Sequence, residues 1–164
     1  NVVGKDFGAK KIFLPQVMLS AEAMREAFIK IKERIPADSV SNKGTIVIAT
    51  VKGDIHDLGK NIVSALLENN GFKVIDLGKD IDKEEIIKAA IDNKADMIGL
   101  CSLMTTTITQ IDEVIAELNK SEYSTKVMIG GAVVTQEYAD NVGADAYAPD
   151  GVEAVEIAKK LINK

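Results

Sequence analysis

From residue 44 onward two hydrophobic periods alternate along the chain. Short apolar runs at Thr45–Thr50, Lys73–Leu77, Met97–Cys101, Lys126–Ile129 and Ala146–Ala148 are each followed by apolar residues at helical spacing, over Leu58–Asn70, Asp82–Asn93, Thr107–Leu118, Thr135–Asn141 and Val152–Ile162. A run apolar on consecutive residues is buried on both faces, and strands alternating with helices build a parallel sheet covered on both sides. Right-handed crossovers leave few ways to join five such units. The expected fold is therefore α/β, a doubly wound five-stranded parallel sheet in order 2-1-3-4-5. In that order the winding reverses between the first and third strands, so the loops after Thr50 and Leu100 should flank the crevice where such sheets bind ligands.

The N-terminal segment follows a different pattern. Pro15 suits a first helical turn, and Val17, Met18, Ala21, Met24, Phe28 and Ile31 repeat at helical spacing, which predicts a helix of about five turns with one apolar stripe. Such a stripe needs something to pack on: further helices, a second copy of the chain, or the main domain. Asn1-Val2-Val3-Gly4 reads as the tail of an element that begins elsewhere. The polar, aperiodic stretch Pro36 to Lys43 is expected to be a linker. The anticipated division is a partial helical cap over 1–35, a linker over 36–43 and an α/β domain over 44–164.

Composition narrows the partners. In 164 residues a 46% hydrophobic share supports a real core, and a net charge of −5 without any Lys/Arg cluster argues against nucleic-acid binding. The single cysteine, Cys101, forms no internal disulfide and fits a reducing compartment, so the cytoplasm is expected. No apolar run approaches the ~18 residues of a membrane span, and no signal segment is evident. Only 4% of residues are aromatic and none is Trp, so stacking platforms for bases are scarce.

The candidate chemistry gathers at the predicted strand exits. Gly53-Asp54-Ile55-His56-Asp57-Leu58-Gly59-Lys60 holds the only histidine in the chain. A lone histidine is more often structural, so the argument rests on its position just past the first strand. A carboxylate nearby, Asp54 or Asp57, can accept one ring N–H, fix the tautomer and strengthen the other nitrogen as a ligand. The lack of a second histidine and the single cysteine argue against a zinc site built from protein ligands. A single protein ligand makes sense where a macrocycle fills the other positions, which leaves haem or a corrinoid. The main rival is nucleotide binding, yet the loop has neither G-x-G-x-x-G nor G-x-x-x-x-G-K-[ST]. Asp54 and Asp57 alone do not make the acidic cluster of a phosphoacceptor. After the third strand, Cys101-Ser102-Leu103-Met104-Thr105-Thr106-Thr107 offers four hydroxyls; one or two would cap the next helix, leaving others for a ligand. Gly130-Gly131-Ala132 and Pro149-Asp150-Gly151 end the last two strands, either as tight turns or as places where another body approaches the backbone. Together these exits form a groove suited to an extended ligand.

Asp54-Ile55-His56-Asp57-Leu58-Gly59 fits the motif D-x-H-x-x-G. Over essentially its whole length the chain resembles the cobalamin-binding corrinoid proteins of methyltransferase systems, and the matching region of cobalamin-dependent methionine synthase. The sheet would then be of the flavodoxin-like, Rossmann-like kind, and Phe13 to Ala21 would be part of the last helix of a four-helix cap. The resemblance implies a corrinoid whose lower base leaves cobalt and is replaced by His56, the metal ligand. Asp54 would be its hydrogen-bond partner and Thr107 the relay hydroxyl, giving a catalytic set of His56, Asp54 and Thr107. Cofactor contacts are implied along Gly53, Asp54, Ile55, His56, Asp57, Leu58 and Gly59. A second set is Cys101, Ser102, Leu103, Thr105 and Thr107, and a third is Gly130, Gly131 and Gly151. Cys101 stands where the family's S-x-L motif has serine; a thiol is a weak donor, and Ser102 or Thr105 could supply the missing bond. Phe13, Leu14, Met18 and Leu19 are candidates to shield the upper face of the corrin.

The implied function is that of a methyl-carrying subunit, moving a methyl group on cobalt from a donor-specific methyltransferase to an acceptor methyltransferase. A reductive activase is a further candidate partner, and another copy of the chain could complete the cap. The alternatives are the cobalamin domain of an adenosylcobalamin-dependent mutase, a cobalamin-responsive regulator, and a flavodoxin-like module without corrinoid.

Overall fold

The computed structural model describes residues 9–13, 15, 16, 19, 20, 23, 26, 27, 30 and 43–162. The chain separates into two compact units, Asn1–Asp38 and Ser39–Lys164. In the first, the described residues from Pro15 to Lys30 are helical. Gln16 reaches back to accept the Phe13 N–H at 3.1 Å, half of a capping box that satisfies one donor the helix start leaves open. Phe13 and Leu19 are exposed. Leu14 and Met18 lie outside the described residues, as do most of the expected cap and all of the expected linker but Lys43.

In the second unit, strands β1 (Thr45–Thr50), β2 (Lys73–Asp76), β3 (Met97–Cys101), β4 (Lys126–Gly130) and β5 (Ala146–Ala148) alternate with five helices. These are α1 (Leu58–Asn69), α2 (Lys83–Asp92), α3 (Thr109–Lys120), α4 (Gln136–Val142) and α5 (Gly151–Ile162). All strand pairs are parallel, in the order β2-β1-β3-β4-β5. The expected doubly wound sheet is the one observed.

Period-two alternation sends neighbouring strand residues to opposite faces. Val47, Ala49, Ile98, Val127 and Ile129 pack with Ile86, Ala90, Ile111, Val114 and Ala139 of α2, α3 and α4. Ile46, Met97 and Met128 pack on the other face with Leu67 of α1 and Ala154, Val155 and Ala158 of α5. All six residues of β1 are buried, because the strand is central and covered on both sides. The loops after β1 and β3 emerge side by side at the reversal point, with Thr50 paired to Cys101.

Several boundaries shift by a residue or two from the sequence expectation, and at two of them the chemistry is informative. Helix α3 begins at Thr109 with Ile108 as an N-cap that makes no side-chain bond, so the hydroxyls of Thr105 to Thr107 do not cap it. Helix α5 begins one residue early, at Gly151, because the Asp150 carboxylate accepts the N–H groups of Val152 and Glu153, both at 2.9 Å. No helix among the described residues is long and apolar enough to cross a membrane.

Candidate functional site

The β1–α1 loop is closed on itself before it meets anything else. The Asp54 N–H donates to Val51 O at 3.1 Å, and the Thr50 hydroxyl donates to His56 O at 3.2 Å across the loop mouth. Gly53 supplies a left-handed turn, with φ of 80°. The result places Asp54 entirely inside, with no exposed surface, while the His56 side chain keeps 47% of its surface open.

Asp54 is the hub. One carboxylate oxygen, Oδ1, accepts the backbone N–H of His56 at 3.0 Å and lies 2.8 Å from its Nδ1. The other, Oδ2, accepts the Leu103 N–H at 2.7 Å and the Thr107 hydroxyl at 3.0 Å. Burial alone would push this carboxyl up, but the four bonds, led by those from the Leu103 and His56 backbones, bring it down to about 2. It is therefore ionised at neutral pH and can only accept. The hydrogen between it and the ring must sit on Nδ1, which leaves the lone pair of a neutral His56 on Nε2. Geometry thus selects the tautomer suited to a ligand.

The network continues inward from Thr107. Its Oγ lies 2.9 Å from the Ser102 hydroxyl and 3.1 Å from Met104 O, and both side chains are buried. With Thr107 donating to the charged carboxylate, Ser102 donates to Thr107, so each bond polarises the next. Ser102 has no exposed surface and its hydroxyl is taken up here. Thr105 is exposed, whereas Cys101 is half-buried, its thiol pushed up to about 11 by burial and by the Asp54 charge, against a smaller opposing pull from Lys60. Asp57 precedes α1 as its N-cap residue, without a side-chain cap bond, and Leu58 begins that helix half-buried.

The glycines divide by cause. At Gly131, with φ of 130°, an added Cβ would lie 1.8 Å from the Ser102 carbonyl oxygen, so the body approaching this backbone is the exit of β3. Gly130 faces Ala148 O, and Gly151 faces the Leu66 side chain at 2.7 Å. Gly59 is different: a Cβ there would meet nothing within 4 Å. A glycine in the first turn of α1 weakens the helix, and no neighbour in the described chain requires it.

That open space lies on the same rim as exposed apolar side chains. Ile55, Leu103 and Val152, 63%, 38% and 69% exposed, follow β1, β3 and β5 at the carboxyl edge of the sheet. Large apolar residues exposed together at such an edge mark a surface meant to be covered. An imidazole with its outward nitrogen free, an apolar rim and an uncrowded glycine fit a large, flat, metal-bearing ligand. Among the described residues no group of three His, Cys, Asp or Glu side chains could hold a bare metal ion.

Sequence reasoning missed a second polar cluster beneath the loop. Lys60, in the first turn of α1 and only 2% exposed, donates to both oxygens of Asp76 at 2.5 and 2.6 Å and to Asn61 at 2.8 Å. Ser64 donates to Asp76 at 3.0 Å. The available signal was periodicity, since Lys60, Ser64 and Leu67 fall on the buried stripe of α1, where a lysine requires an acidic partner. Of the four residues proposed to shield the corrin, Phe13 and Leu19 are described, and both are exposed in the first unit.

Residues 44–158 match the family described as B12 binding domain, and residues 1–32 match a second family of that description. The chain is 48% identical over 166 residues to dimethylamine corrinoid protein 3 of Methanosarcina mazei, covering 99% of each. The structure of the monomethylamine corrinoid protein of Methanosarcina barkeri matches with a TM-score of 0.84 at 33% identity, over 98% of this chain and 77% of that one. The methanol:cobalamin methyltransferase complex of the same organism matches with a TM-score of 0.72 at 37% identity, over 98% and 62%.

Proposed function

The chain belongs to the B12-binding family, and from that premise we propose that it carries a methyl group between two partner methyltransferases, with His56 as the lower ligand of a bound corrinoid. Its cofactor is cobalamin or a related corrinoid. When bound, that cofactor supplies the cobalt on which the methyl group travels. Relatives named as dimethylamine corrinoid proteins support a methylated amine as the donor. A donor-specific methyltransferase, an acceptor methyltransferase and a reductive activase are the partners of this reading. The cytoplasm is its compartment, and a second copy of the chain is a candidate to complete the cap.

The observation that carries the reading is the buried carboxylate of Asp54 against His56 Nδ1. Asp54 holds the proton on Nδ1, so Nε2 offers its lone pair outward. The Leu103 N–H and the Thr107 hydroxyl, the latter held in turn by Ser102, keep the second carboxylate oxygen occupied, which opposes rotation of Asp54 away from the ring. Gly59 leaves room beside α1, and Ile55, Leu103 and Val152 would cover apolar surface of the macrocycle and its tail.

The test is spectroscopic. Loaded with cobinamide, which carries no nucleotide base of its own, and reduced to cobalt(II), the protein should show nitrogen hyperfine splitting from an axial imidazole, and His56→Ala should abolish it. An unchanged spectrum in the variant would remove His56 from the role.

A further inference from the structure

The turn from Leu77 to Asp82 and the last residue of β2, Asp76, hold the histidine loop on both sides. Before the histidine, Thr50 donates its N–H to Gly78 O at 3.0 Å, and Ile81 returns an N–H to Thr50 O at 3.2 Å. Asp80 then holds two consecutive residues: its Oδ1 accepts the Gly53 N–H at 2.8 Å, and its own N–H donates to Asp54 O at 3.1 Å. After the histidine, the Asp76 carboxylate binds Lys60 and Ser64 of α1 and accepts the Gly78 N–H at 2.8 Å.

Asp80 makes this grip in a left-handed backbone conformation, with φ of 58°. L side chains avoid that region, although Asp and Asn tolerate it better than most. Lys94 shares the conformation just past the end of α2, a common place for it, but Asp80 ends no helix. Its side chain is half exposed and outside the core, and it pairs with Lys52, equally exposed, at 3.5 Å. Leu77 and Ile81 of the turn pack on the core, but strain at Asp80, an exposed residue outside that packing, points to a local task. The task visible in the geometry is to fix Gly53 and Asp54, and through Asp54 the ring of His56.

We propose that Asp80 is a positioning residue for His56, acting through Gly53 and Asp54. This rests on the reading of His56 as the corrinoid's ligand, but its test does not need the cofactor. Because His56 is the only histidine, the ring-nitrogen NMR shifts of the cofactor-free full chain report its tautomer without ambiguity. Asp80→Gly keeps the left-handed backbone and removes the acceptor for Gly53. The population protonated at Nδ1 should fall, and the dissociation constant for hydroxocobalamin should rise roughly three- to tenfold, the worth of one hydrogen bond. Asp80→Asn, which keeps an acceptor and tolerates the conformation, should restore both. Lys52→Met, which removes only the exposed ion pairs to Asp80 and Asp82, should leave both at the native value.

Native ring shifts and native affinity in a folded Asp80→Gly variant would overturn the proposal, as would a Lys52→Met variant that reproduces its effect. Tyrosine fluorescence on unfolding establishes that each variant is folded. Loss of nitrogen hyperfine splitting in His56→Ala alongside an unaltered tautomer in Asp80→Gly would defeat the positioning role alone. An unchanged His56→Ala spectrum would defeat the ligand reading, whatever Asp80 does.

Discussion

Replacing Asp54 by Asn removes one charge and almost no volume, so its effect measures the network and not the packing. The carboxylate accepts four hydrogen bonds with two oxygens, whereas an amide has one oxygen and one NH2 group. If the NH2 faces β3, the Leu103 N–H loses its acceptor, while Thr107 can turn and accept. If it faces the histidine, the His56 N–H is orphaned and the ring must move its proton to Nε2, which removes the lone pair a metal needs. Either way one backbone donor is left unpaired beside a fully buried side chain, at about 1–3 kcal/mol, and the surviving bonds lose their charge. The fall of the carboxyl from 3.8 to about 2 corresponds independently to about 2 kcal/mol. Its sign is that of a depressed carboxyl: the stabilisation is full above 3.8 and disappears as the pH drops through about 2. The expected loss in Asp54→Asn at neutral pH is therefore about 2–4 kcal/mol. Urea unfolding followed by tyrosine fluorescence reads it, because all three tyrosines lie in the α/β unit. The gap between native and variant stability should narrow by about 2 kcal/mol between pH ~4 and ~2. A variant within ~0.5 kcal/mol of native at neutral pH, or a gap that does not narrow in acid, would refute this account of Asp54.

What the chain discloses without a structure follows the range of the interactions. Strands β1, β3 and β5 lie where the hydrophobic pattern places them, and in the central β1 and β3 burial on both faces accounts for the apolar run. Asp54 and His56 are legible as a pair because their bond spans two residues of one loop. Thr107 is not legible in the same way. On local chemistry it is a helix cap, and only folding brings it within 3.0 Å of a carboxylate 53 residues earlier. The same holds for Asp80 and Gly53, 27 residues apart, and for Asp76 and Lys60, 16 apart, which no motif spacing connects. Gly131 illustrates a residue whose meaning stays double in one dimension. Its lack of a side chain suits a ligand or a neighbouring strand equally, and the Ser102 carbonyl decides between them.

Two glycines at the same sheet edge should respond to alanine in opposite ways. Gly131→Ala forces a Cβ to 1.8 Å from the Ser102 carbonyl at a φ of 130°, so either the β4 exit or the Ser102–Thr107 bond must move. A loss of at least ~3 kcal/mol in urea unfolding is expected, and a variant as stable as native would show that the edge relaxes freely. Gly59→Ala adds a methyl group that meets nothing within 4 Å in the first turn of α1, where alanine is the better helix former. The cofactor-free protein should therefore gain about 0.5–1 kcal/mol of stability. If the space is kept for the corrinoid, the same methyl group should weaken hydroxocobalamin binding at least tenfold, so that stability and affinity move in opposite directions. A variant both more stable and equally good at binding would mean that Gly59 leaves its space to solvent, and that the ligand's path along α1 lies elsewhere.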